Sequence, residues 1–289
     1  MTNYYHRILR IVSAVCALIF FTLGVSSQSE NVNSPTEKIK FATKEKIASE
    51  IKLAPCRNGE RLQAVRNLFL SMGAGEADLL DDKVKGMQNL RVIKKGRTEE
   101  LVIVGAHYDK VADGCGAIDN WTGIVILANL YGTIKDTETT KTFVFVAFDS
   151  EEQGLLGSGA FVKSVPKEKR NGYCSMVNFD SFGLGYPNIL SNASNSMMIK
   201  SAQELAAELK MPLGVWTFNG ADADSSSFQN GNIPAVTFDG LNDKWQQYLH
   251  TSNDKVDKIN TSSVFVGYNF GLRYLAKIDG SDCSIFRKK

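Results

Sequence analysis

The sequence predicts an α/β fold, a three-layer α/β/α sandwich around a mixed, mostly parallel central sheet. Three observations predict it. Short apolar runs alternate with helix-patterned stretches along most of the chain, as strands do when helices carry the crossovers. One run, Thr142 to Phe148, is apolar at both parities, which suits a strand covered on both faces. The chain has 289 residues, a length that fits a leader followed by one large domain better than two small ones.

The elements follow in order. Arg7 and Arg10 precede the apolar stretch Ile11 to Val25, and Val25-Ser26-Ser27 supplies small residues, so residues 1–27 read as a secretory signal cleaved after Ser27. The apolar stretch is shorter than the ~20 residues needed to cross a bilayer, which argues against a retained anchor. A polar leader covers 28–42 and the folded domain 43–289. Helices are expected from Thr43 to Leu53 and from Glu60 to Met72. The second has Leu62, Val65, Leu68 and Phe69 at helical spacing and ends before Gly73. Asn89–Ile93 and Glu100–Val104 flank a turn-like link and read as a hairpin. A helix from Ala117 to Gly132, the strand Thr142–Phe148, a helix from Gly154 to Val162 and the strand Ser175–Phe179 come next. A helix from Ser194 to Leu209, strands Leu213–Phe218 and Ile233–Phe238, and a closing helix Thr261–Ile278 complete the chain.

Composition excludes several functions. Without residues 1–27 the chain loses two arginines and no acid, which balances its basic and acidic residues, so no basic field exists to bind nucleic acid or an anionic membrane. No stable membrane partner is expected after signal cleavage, and a monomer is adequate for the fold. Cys16 lies in the signal, leaving Cys56, Cys115, Cys174 and Cys283, an even set that permits disulfides in an exported protein. Sequence does not choose among three connectivities. Cys56 and Cys283 lie near the two ends of the domain, and that pair is favoured. No Cys-x-x-Cys spacing occurs, so a cysteine zinc site is not expected.

Histidine is scarce. Only His107 and His250 follow the signal, and each lies near carboxylates, in Gly105-Ala-His-Tyr-Asp109 and His250-Thr-Ser-Asn-Asp254. Asp119, Glu151, Glu152 and Asp180 lie between them. His107, Glu151-Glu152 and Asp180 each stand just past an expected strand, and sites in such sheets form outside the carboxyl ends of the strands. Each motif alone has a plainer explanation. A lone His-x-Asp is more often a hydrogen-bonded core or surface histidine. A Glu-Glu pair commonly opens a helix, favoured there by the dipole. Asp119 could be an N-cap and Asp180 could close a turn. Two imidazoles and several carboxylates meeting at one sheet edge point instead to a hydrolytic zinc site.

With these motifs in order, the chain resembles the zinc aminopeptidases of peptidase family M28, the group around bacterial leucyl aminopeptidase. The resemblance rests on Gly105–Asp109, Gly116-Ala-Ile-Asp-Asn120, Phe148-Asp-Ser-Glu-Glu-Gln-Gly-Leu-Leu-Gly-Ser158, Val177-Asn-Phe-Asp180 and His250–Asp254, and runs from about Cys56 onward. It implies a zinc-peptidase-like sandwich and two Zn²⁺ per chain. Asp119 would bridge them, His107 and Asp180 would complete one site, and Glu152 and His250 the other. Glu151 would be the general base and then the general acid. Asp109 would orient the His107 ring, and the Asp119–Asn120 peptide bond would be cis. Three ligand carboxylates and a bridging hydroxide balance the charge of two zinc ions. The expected substrate is the N-terminus of a peptide or protein. One stretch departs from the pattern. In Gly220–Phe228, Asp224 matches the family's acid, but Ser225 stands where relatives often carry histidine, which bears on the pocket lining. Trp216, Phe218 and Trp245 are candidate pocket walls, or equally packing residues.

Other chemistries fit less well. There is no Gly-x-Ser-x-Gly elbow and no phosphate loop. Cys115 would need a histidine base, and both histidines have better uses. Two alternatives stay open: a glutaminyl-cyclising enzyme with a single zinc, and a non-catalytic binding module on the same fold.

Overall fold

The computed structural model describes residues 39–218 and 220–287. The expected signal segment and most of the leader lie outside them. Among the described residues no helix is long and apolar enough to cross a membrane.

Eight strands form one sheet: β1 (Leu80–Val84), β2 (Met87–Lys94), β3 (Leu101–His107), β4 (Thr142–Phe148), β5 (Tyr173–Phe179), β6 (Asn188–Leu190), β7 (Gly214–Trp216) and β8 (Ala235–Asp239). Their order is β1-β2-β4-β3-β5-β8-β6-β7. The central strands β4, β3, β5 and β8 run parallel, and β1, β2 and the β6–β8 contact supply the antiparallel pairings. Among the described residues seven α-helices cover it: α1 (Lys44–Ile51), α2 (Asn58–Ser71), α3 (Thr122–Ile134), α4 (Leu156–Ser164), α5 (Ser196–Glu208), α6 (Asp224–Asn230) and α7 (Thr261–Asp279).

The strands' side-chain parity divides the core into two layers. Val102, Val104, Phe145, Val177 and Phe238 face α1, α2, α3, α5 and α7. Ile103, Val144, Val146, Phe148 and Met176 face α4 and α6, chiefly through Phe161, Val162 and Phe228. The three-layer expectation therefore holds. Helix α3 is buried on nearly every side, which explains its near-continuous apolar run. Thr43, Asn195 and Asn260 cap α1, α5 and α7 through side-chain oxygens.

The expected hairpin of Asn89–Ile93 with Glu100–Val104 is not formed. β4 lies between those strands, antiparallel to β2 and parallel to β3. The segment between β2 and β3 crosses the start of β4 and is bonded to it, with Arg97 N donating to Thr139 O (3.0 Å) and Thr98 N to Thr140 O (2.8 Å). A Cβ on Gly96 would stand 2.1 Å from Lys141 O, so only glycine allows this crossing. The physical reason is burial. β3 and β4 are both covered on both faces and take interior places side by side, whereas β2 is buried less evenly and lies outside them, nearer the edge. The hairpin that does form is β1–β2, turned by Lys85 and Gly86, both at positive φ as a two-residue turn requires. β1, Leu-Asp-Asp-Lys-Val, is too polar to announce itself, and its charges guard an edge strand.

The favoured Cys56–Cys283 pair is also corrected. The disulfides are Cys56–Cys115 and Cys174–Cys283. Cys56 lies beside the loop that follows β3, at the carboxyl edge of the sheet. Cys283 packs by the start of β5, at the opposite edge, where Cys174 is the second strand residue. Nearness to the two ends of a domain does not imply nearness in space.

Candidate metal centre

The parallel strands β4, β3, β5 and β8 end together, and the ends of the first three each supply one part of the site. His107 is the last residue of β3. Glu151 and Glu152 lie in a turn after β4, and Asp180 follows β5. That turn precedes the helix. α4 starts at Leu156 after a left-handed Leu155, so the two glutamates do not open a helix. Asp119 and His250 arrive from loops. The expected helix at Ala117 begins instead at Thr122, because Asp119 (φ −112, ψ 96) and Asn120 (φ −134, ψ 46) leave helical geometry. The Asp119–Asn120 peptide bond is cis.

All seven residues singled out from the sequence come together. His107 is almost fully buried, and its Nε2 lies 3.1 Å from Asp119 Oδ1 and 3.5 Å from Asp180 Oδ1. His250 Nε2 lies 3.1 Å from Asp119 Oδ2 and 3.1 Å from Glu152 Oε2. Asp119 thus turns one oxygen to each histidine. The possible ligand atoms of His107, Asp119 and Asp180 lie within 4.8 Å of one another, as do those of Asp119, Glu152 and His250. Glu151 forms a third such group with His107 and Glu152.

Behind these groups stands a set of supports. Asp109 lies 3.4 Å from His107 Nδ1, and its two oxygens accept the backbone N–H groups of Glu151 (2.9 Å) and Glu152 (3.2 Å). Asp254 does the same for the Asp119 turn, accepting from Ile118 N (2.6 Å) and Asp119 N (3.2 Å). Asn120 donates to Phe179 O (2.9 Å) and accepts from Ser181 N (3.0 Å), tying that turn to the chain around Asp180. The fully buried Arg61 donates to the carbonyls of Tyr108, Pro55, Cys115 and Gly116. Burial lowers its guanidinium to about 10, against the pull of Asp119, Asp254 and Asp109. Sequence reading missed Arg61, the tie made by the Asn120 side chain and the fork at Asp254. His250–Asp254 forms one motif in the sequence, and that grouping is the available signal for Asp254. Arg61 is one more polar position of a helix, with no local signal.

The protonation pattern is that of a concentrated negative site. Burial works to raise Asp119, but hydrogen bonds from both histidines overcome it and hold it below the usual range. His250 is raised to about 10 by its bonds to Asp119 and Glu152. His107 is raised despite burial, by Glu151, Asp180, Asp109 and Asp119. Burial also pushes Glu151 well up. A field that draws protons onto imidazoles draws cations generally. The donor set fits zinc in particular, with imidazole nitrogen and carboxylate oxygen in both of the groups that share Asp119. Glu152 Oε1 is buried with no hydrogen-bond partner, an orphaned acceptor that a cation would satisfy.

A cavity of about 870 Å³ opens on the cluster. Phe218 and Trp245 line it, and Trp216 stands behind Phe218 with ring centroids 4.7 Å apart. Ser225 lies under the cavity instead of lining it. Its hydroxyl is 2.6 Å from both Ala193 O and Thr237 Oγ1, and Thr237 is the residue that reaches the cavity. Asp224 is wholly buried.

Comparison with known proteins agrees with this architecture. The profile of peptidase family M28 matches residues 89–265. Aminopeptidase YwaD of Bacillus subtilis is 27% identical over 186 residues, covering 60% of this chain and 40% of its own. A probable leucine aminopeptidase of Arthroderma otae is 26% identical over 241 residues, covering 74% and 65%. The chain therefore spans less than two thirds of either relative's length. Among solved structures, Legionella LapA superposes with a TM-score of 0.70 at 18% identity, over 83% of this chain and 74% of its own. A glutaminyl cyclase from an Acidobacteriales bacterium superposes at 0.70 with 13% identity, over 84% and 97%. These two likenesses speak to the fold. The family profile, spanning more than half of the chain, assigns it: this protein belongs to peptidase family M28.

Proposed function

We propose that the protein is an exported dinuclear zinc aminopeptidase that removes the N-terminal residue of peptides, with Glu151 as its proton carrier. The observation that carries this reading is Asp119, whose two oxygens each face a different histidine, each with its own further carboxylate. His107, Asp180 and Asp119 would hold one zinc, and Glu152, His250 and Asp119 the other. Bound zinc supplies Lewis-acid polarisation of the scissile carbonyl and activation of water.

The chain's own residues supply the rest. Glu151 lines the cavity beside both groups. It takes the proton of the attacking water and delivers it to the leaving amine. A carboxyl raised by burial suits both halves of that task, since it can hold the proton between the two steps. Glu151 is kept for this role because the two groups that share Asp119 already use each histidine once. Asp109 sets the ring of His107 and the turn of Glu151 together. The carboxylates around the cavity attract a free α-ammonium, which favours cleavage at the N-terminus. Two disulfides suit an oxidising compartment and support export.

Purified protein should hydrolyse aminoacyl-p-nitroanilides, lose activity on chelation and regain it with Zn²⁺, with two zinc ions bound per chain. Two bound zincs without turnover of any aminoacyl substrate would overturn the reading. The cyclase likeness makes glutaminyl cyclisation the second reading. One zinc per chain, with cyclisation of an N-terminal glutamine, would favour it.

A further inference from the structure

We propose that the cavity beside the metal cluster receives a cationic side chain, that of lysine or arginine at the substrate's N-terminus, and that Asp239 meets its charge. The inference rests on the aminopeptidase reading and names its substrate class.

Asp239 ends β8, one strand along from Asp180, so the two residues lie about one strand spacing of 4.8 Å apart in the sheet. Asp239 is among the residues that line the cavity although it is only 4% exposed. Three neutral N–H groups aim it: Trp216 Nε1 at 2.9 Å, Asn188 Nδ2 at 3.0 Å and Leu241 N at 3.0 Å. No cationic side chain of the described residues is paired with it. An acid buried this deeply is costly unless a positive partner arrives. None arrives from the cavity wall, which carries neither lysine nor arginine. A second acid, the exposed Asp222, stands at the rim.

The rest of the wall suits the remainder of such a side chain. Phe218 and Trp245 meet edge to face, with centroids 5.1 Å apart, and Leu190, Leu241 and Leu249 line the cavity with them. Lysine and arginine combine an apolar stem with a charged tip, and this surface combines an apolar wall with a buried acid. Asp239 also ties Asn188 and Trp216 to the end of β8, and its carboxylate adds to the apolar wall a charge that a leucine side chain would not meet.

Norleucine is lysine without the terminal ammonium, and this gives the test. Zinc-loaded full-length protein is assayed with lysyl-, arginyl- and norleucyl-p-nitroanilide. The expected kcat/KM for the two cationic substrates exceeds that for norleucine by about tenfold or more, the worth of one charged hydrogen bond. Asp239→Asn lowers lysine and arginine about tenfold more than norleucine. Because an amide nitrogen at 239 would oppose the Trp216 N–H, the double variant Asp239→Asn/Trp216→Phe is measured beside it. Norleucine turnover equal to or above lysine in the parent overturns the proposal. So does an equal loss on all three substrates, which would place the α-ammonium on Asp239 instead. If no aminoacyl substrate is turned over, the aminopeptidase reading fails, and calorimetry still judges the pocket. Lysinamide binding tighter than norleucinamide, with the difference lost in Asp239→Asn, upholds it, and equal binding overturns it.

Discussion

The ends of β3, β4 and β5 and the region around β6 and β7 border the same cavity, yet they hold their residues differently. On the first side each group has a fixed support: Asp109 under His107 and the Glu151–Glu152 turn, Asp254 under Asp119, Arg61 behind the loops. On the second side the strands have three residues each, and the wall is made of half-buried aromatics on turns. Groups that must meet a metal tolerate little displacement. Groups that only line a pocket can change identity while the fold persists.

The largest expected effect tests the supported side. Glu151→Ala should keep both zincs and lose about 10³–10⁴-fold in kcat, the usual range for a general acid–base group. Near-normal turnover at full zinc content would remove Glu151 from the mechanism.

Next comes Asp224, a buried carboxylate below the cavity. Burial raises it from 3.8 to about 7. The folded state therefore keeps a proton that the unfolded chain has released, and stability falls as pH rises between those values. Asp224→Asn should remove this loss, leaving metal-free protein more stable than its parent by on the order of 4 kcal/mol above about pH 8 and little changed near pH 4. Urea unfolding at both pH values reads the difference, and an equal effect at the two would contradict it.

Smaller is Asp254→Asn. It keeps the shape but weakens the hold on Asp119, and zinc affinity should fall about 10–100-fold by competition with a chelating dye. Unchanged affinity would mean that the Asp119 loop needs no such support. Smallest is Trp245→Ala on the pocket side. KM should rise roughly threefold to tenfold with kcat and zinc content kept, since only apolar contact with the substrate is lost. A collapse of kcat there would erase the contrast between the two sides.

The same contrast explains what could be read from the chain alone. Strands β3, β4 and β5 are continuous apolar runs with ligand-type residues at their ends, so both the layer order and the seven-residue cluster were visible. β6 and β7 have three residues and no period, and β1 is mostly polar. β2 and β3 are neighbours in sequence but not in the sheet, because β4, as fully covered as β3, takes the interior place between them. The disulfides depend on which edge of the sheet each cysteine occupies. The supports at Arg61 and Asp254 are long-range contacts to backbone, which no local spacing encodes.

Asp109 has a further consequence. A single carboxylate sets the ring of one candidate ligand and the backbone of both glutamates, at the carboxyl ends of two neighbouring strands. Any drift of β3 against β4 would carry the histidine and the proton carrier together, so their relative position is kept while their absolute position varies. Grafting such a site onto another scaffold would therefore mean moving 107–109 and 149–152 as one unit, since neither segment defines its geometry without the other.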